Sequence, residues 1–170
     1  NIQVPRVNFL DYEAVTESRG GPETMMVGMM LTLDRDVSGM MMFLMKEEFA
    51  HMILNGLLGQ SFANFAEVDE MGLSAMKEIG NIMAASYVNA ISQITGLVIE
   101  ISPPDITIDM IGSILSVPAI HFANISDKVI FIEDEFEGTE ESNSDASSNI
   151  LLIPDIDSLE RILEKLGAGL

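Results

Sequence analysis

One long helical stretch constrains the fold of this chain more than any other feature. Residues 69–96 (DEMGLSAMKEIGNIMAASYVNAISQITG) contain no proline, begin with an aspartate suited to cap a helix and end with a glycine suited to stop one. At about 100° per residue, its apolar side chains gather on one side, which we expect to face the core. These residues are Met76, Met83, Tyr87, Ala90 and Ile94.

The opposite side of this helix has an unusual composition. Helix surfaces usually carry long charged side chains, whereas this side has small residues around one carboxylate and one amide. Its members are Ser74, Glu78, Asn81, Ala85, Asn89 and Ser92. Glu78 and Asn81 are one turn apart, with Cβ atoms about 5–6 Å from each other. Small neighbours leave a flat surface on which another protein can lie, but the periodicity alone does not separate this from an ordinary solvated face.

Length, charge and cysteine content exclude several classes of protein. The 170 residues, 48% of them hydrophobic, are enough for one domain with a proper core. The net charge of −19 argues against nucleic acid and anionic membrane surfaces as partners. No apolar run approaches the about 20 residues of a membrane span, and the first residues do not resemble a signal peptide. The absence of cysteine excludes disulfides and fits a reducing compartment, so we predict a cytoplasmic protein.

The remaining chain is predicted to consist of short strands and two further helices. We expect extended segments at 1–11, 25–33, 39–45, 97–102, 106–110, 112–124, 128–135 and 149–153, and helices at 46–59 and 155–167. We expect loops at 12–24 and 60–68, and an exposed hairpin tip or mobile loop at the acidic, serine-rich residues 135–148.

An internal repeat organises these elements. Residues 1–59 and 69–167 share the order of proline-containing strand, apolar strands and a short helix that ends in Leu-Gly. The second unit begins with the long helix and the first has no counterpart, so we expect a missing first helix. Its absence would expose the sheet face beside 1–9, 25–33 and 39–45 to a neighbouring copy. The predicted fold is α+β: a single domain of two pseudo-two-fold-related repeats, with a mainly antiparallel sheet and the long helix packed on one face.

Most enzyme templates are absent. The sequence has no phosphate-binding loop, no GxGxxG turn and no GxSxG elbow. His51 and His121 stand alone, and His51 is better explained as a packing residue than as a ligand. Residues 34–39 resemble the start of a calcium-binding EF-hand loop. However, the twelfth position of such a loop is Glu and here is Met45, and the flanking segments are predicted strands, not helices. We favour a solvated loop over an ion site for the acidic run, and we predict no metal ligands.

The polar face of the long helix carries a family resemblance. Three residues separate Ser74 from Glu78, two separate Glu78 from Asn81, and twenty-two separate Asn81 from Pro104. This spacing, with the segments KEIGNI, ASYVNAISQITG and PPDITIDM, resembles the signature of the CheC/CheX/FliY chemotaxis phosphatases, and CheC in particular. The similarity extends over essentially the whole chain. CheC proteins carry the motif twice, and Pro5 looks like the proline of a first copy whose Glu and Asn would lie on the missing helix.

The resemblance implies hydrolysis of the aspartyl-phosphate on the response regulator CheY. Asn81 would orient the attacking water, and Glu78 would pair with a lysine of the regulator. Ser74 and Pro104 would contribute to the binding of the regulator, Ser74 by a polar contact and Pro104 by shaping the loop beside the helix. The chain would need no cofactor of its own, because Mg²⁺ is expected on the regulator.

A second interpretation is a non-catalytic docking module. CheC-like proteins as a class bind CheD, a receptor deamidase that raises their phosphatase activity, and related domains dock in the flagellar switch. The complete set of Ser74, Glu78, Asn81 and Pro104 favours the enzyme, because a pure docking domain has no need of it. Both roles can coexist in one protein.

Overall fold

The computed structural model describes residues 6–59, 61–62, 64–122, 128–134 and 148–167. Strands and helices occur along these segments in the order β1 (Arg6–Asp11), α1 (Tyr12–Ser18), β2 (Met25–Arg35), β3 (Gly39–Met45), α2 (Glu47–Leu58), α3 (Glu70–Thr95), β4 (Ile99–Ile101), β5 (Asp105–Met110), α4 (Ile111–Phe122), β6 (Lys128–Asp134), β7 (Ser148–Pro154) and α5 (Ile156–Lys165). A 3₁₀ turn at Phe65–Glu67 precedes α3.

The strands form one antiparallel sheet in the order β1-β6-β7-β3-β2-β4. Strand β2 has 11 residues, which is long enough for two partners on the same side. Its first residues pair with β5, from Met25 opposite Met110, and its last residues pair with β4, up to Arg35 opposite Ile99. This sheet with its packed helices confirms the predicted α+β class.

The strand order is symmetric about the central β3–β7 pair. Strands β2 and β6 flank that pair, and the opening strands of each half pair with the other half. Thus β1 pairs with β6, while β4 and β5 pair with β2. Two related units around a pseudo-two-fold axis would produce this order. The exact division of the chain at 1–59 and 69–167 stays a prediction.

Helices cover both faces of the sheet. Helices α2, α3 and α5 pack on the face that carries Met29, Phe43 and Leu152. Helices α1 and α4 pack on the other face, which carries Met42 and Leu44. The long helix therefore lies on one face, as predicted.

The prediction that a sheet face would be exposed is wrong for β2 and β3. These strands lie at the centre of the sheet, and side chains such as Val27, Met29 and Phe43 are completely buried. Residues 1–5, including Pro5, lie outside the described residues.

Residues 12–24 were expected to form a loop, but they begin with α1. The Asp11 carboxylate caps this helix, because its Oδ1 accepts a hydrogen bond of 2.7 Å from the backbone N–H of Ala14. Val15 then packs in the core. A helix of seven residues with one buried side chain shows no hydrophobic periodicity in the sequence, which explains why it was predicted as a loop.

The strand expected at 112–124 is also wrong, because residues 112–122 belong to α4, while 123–124 lie outside the described residues. Buried side chains recur there at Ile111, Ile114, Leu115 and Pro118, which is the spacing of one helix face. The stretch is apolar almost throughout, and such a run is compatible with a buried strand or a buried helix. Of the acidic segment 135–148, expected as a hairpin tip or mobile loop, residues 135–147 lie outside the described residues and Ser148 begins β7.

Candidate functional site

Helix α3 carries three of the four predicted site residues. The Asp69 side chain caps its start, where Oδ1 accepts a hydrogen bond of 2.8 Å from the backbone N–H of Gly72. Gly96 ends the helix in the left-handed conformation at φ 73°, and its N–H donates to the Ser92 carbonyl oxygen at 2.8 Å. The helical range predicted from the sequence is confirmed, because each terminal residue has the chemistry that its position requires.

The buried side of α3 differs in part from the predicted one. Its buried residues follow a row with a spacing of four: Gly72, Met76, Gly80, Ala84 and Val88. Small residues in this row let the helix approach the sheet closely. The predicted face was chosen mainly by its large apolar side chains, so it lies beside the row that is actually buried.

The individual core predictions divide accordingly. Met76 is buried, as expected. Met83 and Tyr87 are half-buried against the core, so the helix has the expected orientation. Ala90 and Ile94 are exposed, Ile94 to 70%, so their predicted burial is wrong.

The polar residues of the predicted site lie on the open side of α3. Ser74 and Glu78 are exposed, and Asn81 is half-buried one turn further along. In the described part of the chain, no hydrogen bond or ion pair engages the side chain of Glu78 or Asn81. A carboxylate and an amide are thus presented together on one helical surface.

Pro104 lies behind α3 instead of on this surface. Its ring is buried, and its Cγ is 3.6 Å from the position that a Cβ would take at Gly80. Asn81 is the next residue of the helix. A buried ring does not contact a partner directly, and the predicted contribution of Pro104 to binding, by shaping the loop beside α3, stays a prediction.

The C-terminal end of α3 is tied to the turn between β2 and β3. The backbone N–H of Val98 donates to Oδ2 of Asp36 at 2.8 Å, and the N–H of Asp36 donates to the Val98 carbonyl oxygen at 3.0 Å. Arg161 on α5 donates to the Asp36 carbonyl oxygen at 3.0 Å. The helix that presents Glu78 and Asn81 is therefore anchored at its C-terminal end.

Gly80 and Met29 meet beneath the turn that carries Asn81, and neither was among the predicted site residues. A Cβ at Gly80 would lie 2.8 Å from the Met29 Sδ atom. A signal for this contact was present in the sequence. Glycine inside a helix costs about 1 kcal/mol relative to alanine, so Gly72 and Gly80 in one helix indicate a close approach.

Metal-binding and membrane-spanning features are not found in the described residues. They include no group of three or more His, Cys, Asp or Glu residues that could hold a metal ion. None of their helices is both long and apolar enough to cross a bilayer. The His51 ring stacks on Phe65 with ring centroids 6.0 Å apart, which supports its interpretation as a packing residue.

The chain is similar to known proteins along the segment that carries these residues. The model of the CheC-like family matches residues 71–108, which contain Ser74, Glu78, Asn81 and Pro104. The CheY-P phosphatase CheC of Bacillus subtilis (strain 168) is 26% identical over 172 residues, covering 100% of this chain and 82% of that protein.

Solved structures share the fold. Thermotoga maritima FliY has a TM-score of 0.66 at 22% identity, with 97% of this chain and 80% of that chain covered. A chain of the FliG–FliM complex from H. pylori has a TM-score of 0.59 at 14% identity, with 94% and 79% covered. The family match over the motif, the similarity along the whole chain and the shared fold together show that this chain is similar to CheC-like proteins.

Proposed function

We propose that this chain hydrolyses the aspartyl-phosphate of a phosphorylated CheY-type receiver domain and that Asn81 orients the attacking water. One observation carries the proposal: Glu78 and Asn81 lie together on the open side of α3, and no described residue engages their side chains. The similarity to a CheY-P phosphatase over the full chain supports it.

The chemistry of an amide suits the role of Asn81. Its carbonyl oxygen accepts a hydrogen bond from water, its NH₂ group donates to a phosphoryl oxygen, and it carries no charge to repel the phosphate. A glutamine orients the attacking water similarly in some GTPases. Water attacks phosphorus while the bond to the aspartyl oxygen breaks. The products are inorganic phosphate, which keeps the proton released by water, and the free aspartate carboxylate.

The neighbouring residues would bind and position the receiver. Glu78 is exposed one turn before Asn81, so its carboxylate would pair with a lysine of the receiver and fix the register of docking. Ser74, one further turn away, would make a polar contact at the edge of the interface. Pro104 would support α3 from behind. The chain would supply no cofactor, and the Mg²⁺ would belong to the receiver.

The test is phosphate release from a phosphorylated CheY-type receiver, with and without substoichiometric amounts of this chain. We expect faster release and repeated turnover, because the chain acts on one receiver after another. An unchanged release rate at receiver concentrations that saturate binding would refute catalysis.

A docking module without catalysis is the second candidate, and the fold shared with a chain of the FliG–FliM complex favours it. The partners would be the CheD deamidase or proteins of the flagellar switch. Binding of such a partner without any change in phosphate release would support this role. We propose the cytoplasm as the location for either function, in keeping with the absence of cysteine.

A further inference from the structure

We propose that Gly80 is a positioning residue for Asn81, because the absence of a side chain at Gly80 allows α3 to pack at a short, fixed distance from the sheet. The inference rests on the proposed function, since it assigns Gly80 to the precision of the water-orienting amide. Glycine is an unfavourable helix residue, and here it occupies the turn that carries Glu78 and Asn81.

The contact behind Gly80 leaves no room for a side chain. A Cβ at this position would lie 2.8 Å from Sδ and 3.2 Å from Cε of Met29, and 3.6 Å from Cγ of Pro104. A carbon atom does not approach sulfur to 2.8 Å in a folded protein, so either Met29 or the helix would have to move. The Pro104 contact is an ordinary one.

The Sδ and Cε atoms are the end of a flexible side chain, which shifts easily where space is available, so the cost depends on the space around Met29. It is completely buried in β2, between Phe43 of β3 and Ile106 of β5. Phe43 is also completely buried, and Ile106 packs against the same cluster. Protein interiors are close-packed, so a displaced thioether would collide with these neighbours. We therefore expect α3 to take up the displacement and to move away from the sheet.

A displaced α3 affects Asn81 more than Glu78. The amide must keep water in line with the phosphorus atom, and a misplacement of about 1 Å costs as much as 10²-fold in rate. The longer, exposed Glu78 side chain can still reach its partner by changing rotamer. A side chain at Gly80 should thus lower kcat and leave KM almost unchanged, which a general loss of structure would not do.

The test compares two Gly→Ala variants in helices. Gly80→Ala should lower kcat about tenfold or more, with KM within about twofold of the wild-type value. Gly56→Ala in α2 is the matched control, because nothing lies within 4 Å of a Cβ there. It should leave both constants unchanged. Full kcat in Gly80→Ala, in a wild-type background that is active, would overturn the inference.

A rescue variant tests the mechanism itself. Valine lacks the two atoms that Met29 places against Gly80, so Gly80→Ala/Met29→Val should recover most of the lost kcat. A double variant that stays as slow as Gly80→Ala overturns the inference. If Gly80→Ala does not fold, we expect the double variant to fold and to have the same kcat as Met29→Val. A double variant with a lower kcat than Met29→Val would overturn the inference. A wild-type chain without phosphatase activity would instead refute the proposed function.

Discussion

Asn81 and Glu78 share one face of α3 but differ in conformational freedom. Asn81 is half-buried, so its short side chain has few rotamers, whereas Glu78 is exposed and can adopt several. A restricted amide suits the placement of a water molecule, and a mobile carboxylate suits the capture of a partner. Substitutions at the two positions should therefore have different kinetic effects.

Asn81→Ala should remove the water-positioning amide and leave α3 intact, because alanine is the better helix former. We expect kcat for phosphate release to fall about 10²-fold, with a much smaller change in affinity for the phosphorylated receiver. Asn55→Ala is a matched control, since Asn55 is exposed on α2. Full activity of Asn81→Ala would contradict the catalytic role and favour the docking module.

Glu78→Ala should weaken binding of the receiver with little change in kcat. The loss should be larger at low ionic strength, where an exposed ion pair is screened least. Glu78→Lys should bind still more weakly, because it places like charges opposite each other. The measurement is KM, or direct affinity, over a range of salt concentrations. Glu160→Ala on α5, another exposed helical position, is the control and should behave as wild type.

The polar residues of the candidate site can be selected from the sequence, but the residues behind them cannot. Ser74, Glu78 and Asn81 form a spaced motif on a periodic helix, so they are recognisable without a structure. Gly80 contributes nothing to hydrophobic periodicity, and its importance depends on Met29, which is distant in sequence. The burial of Pro104 likewise follows from tertiary packing, which local patterns do not specify.

At the level of single elements, the ends of helices were predictable where a capping residue marks them. Asp69 and Gly96 delimit α3, and Asp155 caps α5 by accepting a hydrogen bond of 2.8 Å from the N–H of Ser158. Helix α4 has no acidic residue in its first turn and contains Pro118, so a continuous apolar run was its main signal. Length and apolar character do not distinguish a strand from a helix in such a run.

Asp69→Ala should destabilise α3 at its first turn, because the N–H of Gly72 loses its acceptor. We expect the free energy of unfolding to fall by about 1 kcal/mol, as for other helix caps. Urea denaturation of the variant and the wild type measures this difference. Asp157→Ala in α5 is the control, since Asp157 is exposed in a first turn that Asp155 caps. An equal loss in both variants would contradict the capping role of Asp69.

In the whole molecule, the β3–β7 pair joins the two halves of the sheet, and Gly39 lies opposite Pro154 in this pair. Gly39 has φ 150°, and a Cβ there would meet the carbonyl oxygen of Ile153 and lie 2.7 Å from Cα of Pro154. These are backbone atoms of a central strand, which do not move aside without breaking ladder hydrogen bonds.

Gly39→Ala should therefore lower the free energy of unfolding by about 2 kcal/mol or more, which is large for a single added methyl group. Thermal or urea unfolding measures the loss. Gly56→Ala, with open space around the added carbon, should be neutral or stabilising by up to about 1 kcal/mol. A Gly39→Ala variant as stable as the wild type would show that the central pair tolerates a wider separation.

The exchange of opening strands between the halves determines the order in which the chain can fold during synthesis. Strand β1 is made early, yet its partner β6 is made after most of the chain, and Arg6 must wait for Glu133. Strand β3 likewise gains its second neighbour only when β7 emerges from the ribosome. Such distant pairings delay folding, because the intervening chain must be ordered before they form. The two halves therefore reach the native state together and late, not one after the other as independent domains do.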